Sequence, residues 1–466
     1  MKNKKQSSRR DFLTKLSLGT AALTVPNILS ANSKYTVKKL IEPKEANRSY
    51  AANDQIRLAT IGFGIQGIGD TSNAVLVDGI EFVAACDLYE GRLTRAKELY
   101  GKDIFTTRDY REILSKQDID AVIIATPDHW HEKIAIDAMK AGKAVYLEKP
   151  MIKNIDEGHN IIRIEKETNS VLQVGSQGMS GIYSAKAREL YKSGIIGDLV
   201  MVEIFNDRYS AEGAWQYPIP PDASPETIDY DTFLGSAPKT EFDPIRFFRW
   251  RNYQDYGTGV AGDLFVHSFS TLNFVIDSLG PKSAKSTGGL RYWKDGRDVP
   301  DIMMSLYDFP KTDNHPEFNA VLRINFIASN GGGGGFRLIG TEGAMTVGWS
   351  GVSVIHSQMG WRPTGYALRA YPEDIQKEIK KVYETQYEKK RGKMLTPQET
   401  VFEAAPDYKG ADYDHFYNFF EAMRGNRKIV ENATYGLRAA GAALLSNISY
   451  FEDRKVNWDP VKMQLV

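Results

Sequence analysis

Cysteine is almost missing from this chain: Cys86 is the one thiol in 466 residues. A single thiol excludes an intramolecular disulfide. Its place in an apolar strand candidate makes Cys86 a small buried residue rather than a nucleophile. Net charge is missing too. Fifty-nine basic residues balance 59 acidic ones, which argues against a broad electrostatic partner such as nucleic acid or an anionic membrane surface. Long hydrophobic runs are absent as well. The apolar stretch at residues 16–29 is too short and too weakly hydrophobic to span a bilayer, so the mature chain is expected to carry no integral membrane segment. No internal repeat is visible. What remains is 42% hydrophobic residues over a length that accommodates two ordinary domains.

The N-terminus reads as an address. Ser8-Arg9-Arg10-Asp11-Phe12-Leu13 precedes the apolar stretch, and the small residues Ser30 and Ala31 follow it. Paired arginines before Phe-Leu resemble a twin-arginine export signal, with cleavage expected near Ala31. An amphipathic N-terminal helix is the plainer alternative. The twin-arginine route carries folded proteins, which suits a periplasmic protein without disulfides. Residues 32–54 read as a polar linker.

Strands and helices alternate between residues 56 and 175. Strand candidates are 56–61, 80–86, 121–125, 144–147 and 171–174; helices are expected near 66–77, 90–100, 108–115, 130–141 and 156–168. The continuously apolar run at 121–125 suits a central parallel strand covered on both faces. The expected fold class is α/β, with an N-terminal doubly wound Rossmann domain over 55–175. From 176 to 466 a second α/β domain is expected, built on a large, mostly antiparallel open sheet. Its strand candidates are 199–206, 301–308, 318–328, 336–340 and 344–347. A helix over 183–193, a solvated helix within 372–395 and two C-terminal helices near 411–424 and 433–451 complete the pattern. The five glycines at 331–335 read either as a mobile loop over a site or as a flexible turn.

The strongest motif is Gly62-x-Gly64-x-x-Gly67, after a strand and before a helix, with Asp87 twenty residues past the third glycine. That spacing suits a dinucleotide. Gly62 permits a tight turn, Gly64 lets the backbone approach a pyrophosphate, and Gly67 lets the helix pack closely with its positive end toward the phosphates. Asp87 is positioned to accept hydrogen bonds from the adenosine ribose.

Three further clusters follow. Thr126-Pro127-Asp128-His129-Trp130-His131 lies beyond the central strand, where open α/β sheets bind ligands. His129 and His131 lack a companion Cys or Glu cluster, so packing is expected and a metal is not. Glu148-Lys149-Pro150 ends the next strand; Lys149 is either a solvated charge or a group aimed at a substrate oxygen. Asp263 and His267 stand four apart, a spacing that shares a helix face. They read either as a carboxylate–imidazole pair or as a helix start with a core histidine. The aromatic residues Trp215, Tyr217, Trp250, Tyr253 and Tyr256 flank that segment, as sugar-stacking faces or as interdomain core.

Together these clusters resemble the Gfo/Idh/MocA family (glucose–fructose oxidoreductase, inositol dehydrogenase and MocA). The likeness covers about 56–205 and 245–280, more weakly the C-terminus. The family's Thr-Pro-Asn-x-x-His segment is met by Thr126, Pro127, Asp128 and His131, with Asp for Asn. Its Ala-Gly-Lys-x-Val-x-x-Glu-Lys-Pro signature matches residues 141–150, and its glycine-rich Asp-x-x-x-His segment matches Gly257, Gly259, Asp263 and His267. Phe265 stands where many members have glycine. Residues 193–197 and the turn at 340–343 are similar too, whereas 363–410 matches nothing in the family.

The resemblance implies an oxidoreductase that moves a hydride between a nicotinamide cofactor and a hydroxyl of a sugar, glycoside or cyclitol. Carried over, His267 is the general base, Asp263 orients it, and Lys149 hydrogen-bonds the reacting oxygen. Gly62, Gly64, Gly67, Asp87, Thr126, Pro127, His131, Glu148 and Lys149 hold the cofactor. Asp87 favours NAD, because a 2′-phosphate would face a carboxylate; the nearby Arg92 leaves NADP open. An exported enzyme meets no soluble NAD, which implies a cofactor tightly bound and recycled in place. A redox-neutral NAD-dependent glycoside hydrolase ranks second, and a non-catalytic nucleotide- or sugar-binding protein third. The family's open sheet often pairs with a copy of itself, so a homo-oligomer is expected.

Overall fold

The computed structural model describes residues 36–43, 50, 54–329, 331–356, 365–387 and 399–466. The export signal read at 1–31 lies outside the described residues, as does most of the linker. Among the described residues no helix is long and apolar enough to cross a membrane.

The first domain is a six-stranded parallel sheet in the order β4-β3-β2-β5-β6-β7. The strands are β2 (Ile56–Ile61), β3 (Ile80–Cys86), β4 (Phe105–Thr107), β5 (Ala121–Ile124), β6 (Ala144–Glu148) and β7 (Leu172–Gly175). Every residue of β5 is buried, as its unbroken apolar run requires. The chain starts at β2 in the middle, moves out to β4, then returns to β5 beside β2. That reversal opens a crevice above the carboxyl ends of β2 and β5. The short β4 was missed; its three residues offer no periodicity.

The second domain is an eleven-stranded sheet ordered β1-β15-β14-β13-β12-β8-β11-β10-β9-β16-β17. Its strands are β1 (Thr36–Ile41), β8 (Leu199–Asp207), β9 (Ser283–Gly289), β10 (Ile302–Phe309), β11 (Phe318–Asn325), β12 (Gly333–Gly340), β13 (Gly343–Gly348), β14 (Gly351–His356), β15 (Glu399–Ala404), β16 (Val456–Asp459) and β17 (Gln464–Leu465). Most neighbours are antiparallel; β8/β11 and β1/β15 are parallel.

Three segments depart from the sequence reading. Residues 36–41, read as linker, form β1 and pair along their whole length with β15. That strand lies inside the segment that matched nothing, so 399–404 belongs to the sheet. The glycines Gly333, Gly334 and Gly335 are strand, not loop: they pair with Asp207, Asn206 and Phe205 of β8.

Two C-terminal helices join the domains. Ala411–Met423 sends Phe416, Phe419 and Phe420 into one cluster with Leu58, Ile123 and Tyr146 of the parallel sheet. The alanine-rich helix Ala433–Phe451 packs on β9 and on the helix Ile155–Thr168. β9 reads Ser-Ala-Lys-Ser-Thr-Gly-Gly, and its small side chains admit the helix: the Ser286 amide donates to Ser449 Oγ at 2.9 Å.

Candidate active site

The glycine turn is built by contacts that no side chain would tolerate. Gly62 has φ +90°, and a Cβ there would stand 2.6 Å from the Ala125 carbonyl. A Cβ on Gly67 would stand 2.0 Å from the Gly62 carbonyl oxygen, so the helix Ile65–Ala74 packs hard against the turn. Gly64 caps that helix without a side chain. A Cβ on Gly64 meets nothing nearer than the Arg92 guanidinium, 3.4 Å away. The helix thus presents bare N–H groups and a positive end to the crevice.

Above the turn lies a cleft of about 350 Å³, with Gly62, Gly64, Asp87, Thr126 and Pro127 among its lining residues. Thr126 Oγ1 is buried there without a hydrogen-bond partner among the described residues, a polar atom a ligand would satisfy. Glycine cradle, helix end and orphaned hydroxyl fit a dinucleotide. Asp87 Oδ1 accepts from the Tyr89 amide at 3.0 Å, and Arg92 Nη1 lies 3.4 Å from both carboxylate oxygens. The second domain supplies the other wall through Phe233, Phe247, Phe248 and Trp250. That wall is tied to the end of β3: the Asp229 amide donates to the Leu88 carbonyl at 3.0 Å, and the Glu90 amide to the Thr227 carbonyl at 3.0 Å.

Lys149 emerges after β6. Its Nζ donates to Asp263 Oδ1 at 3.0 Å and to the Asp263 carbonyl at 3.3 Å. Arg251 Nε donates to the same Oδ1 at 3.3 Å. Both side chains of the Lys149–Asp263 pair are buried. Burial alone would raise the Asp263 pKa, but Lys149, Arg251 and Arg208 hold the carboxyl well below the usual range. Asp263 sits in a π-helical turn, Ala261–Phe265; His267 follows in the α-helix Val266–Ile276. No Asp263–His267 hydrogen bond is present: the carboxylate is committed to Lys149 and Arg251, which corrects the expectation that Asp263 orients the imidazole. His267 is half-buried and faces a smaller pocket of about 90 Å³. Burial first, then the Lys149 and Arg208 cations, lower its pKa to about 3, against a smaller opposing effect of Asp263.

Of the expected cofactor residues, Gly62, Gly64, Asp87, Thr126 and Pro127 line the cleft, whereas Gly67, His131, Glu148 and Lys149 do not. His131 is buried, with Nδ1 2.8 Å from the Pro150 carbonyl and Nε2 2.9 Å from the Thr126 carbonyl. It braces the two loops that carry Thr126 and Lys149. Burial drops its pKa to about 4. Glu148 is buried, and its Oε1 accepts from Gln177 Nε2 at 2.7 Å and from Gln66 Nε2, a cleft residue, at 3.5 Å. Burial raises its pKa to about 7. His129 is likewise a brace, with Nε2 2.8 Å from the Phe233 carbonyl. No group of three or more metal-capable side chains occurs among the described residues. Asp128 Oδ2 accepts from the Thr258 amide and hydroxyl, both at 2.9 Å. Burial and then Asp263 raise the Asp128 pKa to about 7. The carboxyl is thereby held toward a neutral, amide-like form, which suits an aspartate in the motif's asparagine position. Of the aromatic residues, Tyr217 and Trp250 line the cleft. Trp215 instead packs in the core against Phe326, centroids 5.0 Å apart, and Tyr256 against Phe233 at 4.7 Å.

Glu431 is another buried carboxyl, close enough to Glu148 to feel its charge. Its Oε1 accepts from Ser270 Oγ at 3.0 Å, and its Oε2 has no partner among the described residues. Burial raises its pKa from 4.5 to about 8. A carboxyl that holds its proton more tightly when folded stabilises the fold fully below the unfolded pKa and loses that contribution as pH rises through the folded one. The Glu431 contribution to stability should therefore fall between about 4.5 and about 8. Glu431→Gln should remove that slope and gain on the order of a few kcal/mol above the upper limit. Denaturant melts across this range check it; parallel curves for both proteins would refute it.

Residues 56–176 match the family described as "Oxidoreductase family, NAD-binding Rossmann fold", and residues 181–285 match "Oxidoreductase family, C-terminal alpha/beta domain". An alpha-N-acetylgalactosaminidase of Shewanella oneidensis is 30% identical over 218 residues, 45% of this chain and 47% of that protein. A glycosyl hydrolase family 109 protein of Shewanella baltica matches to the same extent. The chain thus spans about half the length of the curated relatives it matches. Among solved structures, a levoglucosan dehydrogenase in complex with NADH and levoglucosan superposes with a TM-score of 0.61 at 16% identity, covering 86% of this chain and 99% of that one. An aldose-aldose oxidoreductase of Caulobacter crescentus gives the same figures. At this identity the likeness concerns the fold.

Proposed function

The chain belongs to the Gfo/Idh/MocA oxidoreductase family through residues 56–176 and 181–285, and from that premise we propose that it is a nicotinamide-dependent oxidoreductase acting on a hydroxyl of a sugar, glycoside or cyclitol. The observation that carries this reading is the buried Lys149–Asp263–Arg251 cluster one helical turn from His267, with Arg251 lining the dinucleotide cleft. When bound, a nicotinamide supplies hydride acceptance and return, which serves either net oxidation of the hydroxyl or a transient oxidation that loosens a glycosidic bond. A ring nitrogen of His267, kept neutral, accepts the hydroxyl proton. Lys149 has three N–H donors; Asp263 engages Nζ from one side, which leaves a donor for the substrate oxygen and its developing negative charge. Asp263 acts through Lys149. Asp87, Thr126 and the turn at Gly62 and Gly64 hold the cofactor.

We also propose export by the twin-arginine route with NAD retained as a prosthetic group. The wall that residues 227–250 build over the cleft supports retention. The absorbance and mass of what co-purifies with native protein test this: bound NAD is expected, and clean apo protein of weak NAD affinity would overturn it. The glycosidase reading stands second, favoured by the 30% identical alpha-N-acetylgalactosaminidase. Holoenzyme given a panel of sugars, cyclitols and aryl glycosides separates the two. A change in the reduced-nicotinamide band supports oxidation; release of aglycone without net reduction supports hydrolysis. Neither signal from any compound would defeat both.

A further inference from the structure

Trp349, in the turn between β13 and β14, is 65% exposed. Leaving so large an apolar face in water forgoes burial energy, so its placement calls for a reason. The indole stands edge-on to the His267 ring, with centroids 6.4 Å apart and planes at 79°. It forms one wall of the small pocket that His267 faces; Asn206, Ser268 and Thr271 lie on the others. Among the described residues, no hydrogen bond occupies those three polar side chains. The glycine strand explains how the indole is seated. A Cβ on Gly334 would stand 3.1 Å from Trp349 Nε1, so the missing side chain makes β12 a flat floor beneath the ring.

An exposed aromatic face, unpaired hydroxyl and amide groups, and a neutral base converging on one small pocket suit a ring with C–H bonds on one face and hydroxyls around its rim. We propose that Trp349 is the stacking platform for a pyranose or pyranoside ring, and that it orients the ring so that one hydroxyl meets His267. This rests on the carbohydrate reading above and narrows it: an open-chain polyol presents no rigid C–H face to an indole. Trp349 sets affinity and orientation, while the proton transfer belongs to His267.

The test uses holoenzyme and a panel of methyl α- and β-pyranosides. With the best of them, Trp349→Ala should raise KM roughly tenfold or more with kcat changed far less, and Trp349→Phe should recover most of the loss. Tryptophan fluorescence gives a readout independent of turnover: the pyranoside should quench wild-type emission, and the quench should vanish in Trp349→Ala. Unchanged KM and quench in that variant would overturn the proposal. So would a change in its oligomeric state by light scattering without a change in KM, which would assign Trp349 to a contact between copies. If a pyranoside quenches Trp349 but neither it nor any compound of the wider sugar, cyclitol and aryl glycoside panel is turned over, the platform stands and the oxidoreductase reading falls. If none binds, the platform falls.

Discussion

His267→Ala is expected to lower turnover by about 10²- to 10⁴-fold, the range for loss of a general base, while the protein keeps its fold and its bound nicotinamide. The ring is half-buried at a pocket mouth and lies outside the dinucleotide cleft, so its removal opens little core. The pH profile adds a sharper reading. Burial, Lys149 and Arg208 all lower the His267 pKa below its ordinary 6.5. A depressed base is protonated only as pH falls through that lower value. The acid limb of kcat/KM should therefore lie well below the ordinary histidine range, and Arg208→Met, which deletes one cation, should move it upward. A wild-type limb at or above 6.5, the ordinary value, would sink the assignment, as would full activity in His267→Ala.

The parallel sheet was legible nearly residue by residue: 56–61 and 80–86 are the observed bounds of β2 and β3. Buried parallel strands are unbroken apolar runs, and the glycine turn fixes where the first one ends. The second sheet was legible only where strands alternate, as β10 and β11 do. β9 is strand because a helix from the C-terminus needs its small residues, and β1 is strand because β15, more than 350 residues away, offers an edge. Neither cause is local. The site divides in the same way. Gly62, Gly64, Asp87 and Thr126 carry their geometry in their spacing and do line one cleft. The Lys149–Asp263 contact spans 114 residues, so the sequence suggested the local partner His267 instead. Arg251, Arg208 and Trp349 belong to no motif; the glycine run before β13 was the one local signal that something lies flat across the sheet.

Asp263→Ala should cost more stability than any other single change at the site. The carboxylate is the shared counter-charge of Lys149 and Arg251, with side-chain exposures of 9% and 22%. Deleting it leaves two cations facing each other in a poorly hydrated place, and breaking such a pair typically costs about 3–5 kcal/mol. Arg251 is exposed enough to recover some hydration, so the lower end of that range is expected. The sign with pH follows from the depressed Asp263 pKa. A carboxyl held below its unfolded value of 3.8 stabilises the fold above that value and loses its contribution as pH falls through the folded one. The variant's deficit should therefore be full at neutral pH and shrink in acid. A double-mutant cycle isolates the pair: Asp263→Leu with Lys149→Met removes both charges and should cost less than Asp263→Leu alone, because the orphaned ammonium is gone. Asp263→Asn separates fold from function, since it keeps an acceptor for Nζ but not the charge. It should retain more stability than the alanine variant and still lose kcat, because a weakly held Lys149 no longer presents its donor at one point. Equal stability of wild type and Asp263→Ala, measured by denaturant unfolding of the holoprotein, would show that the buried charges are not coupled as the distances indicate.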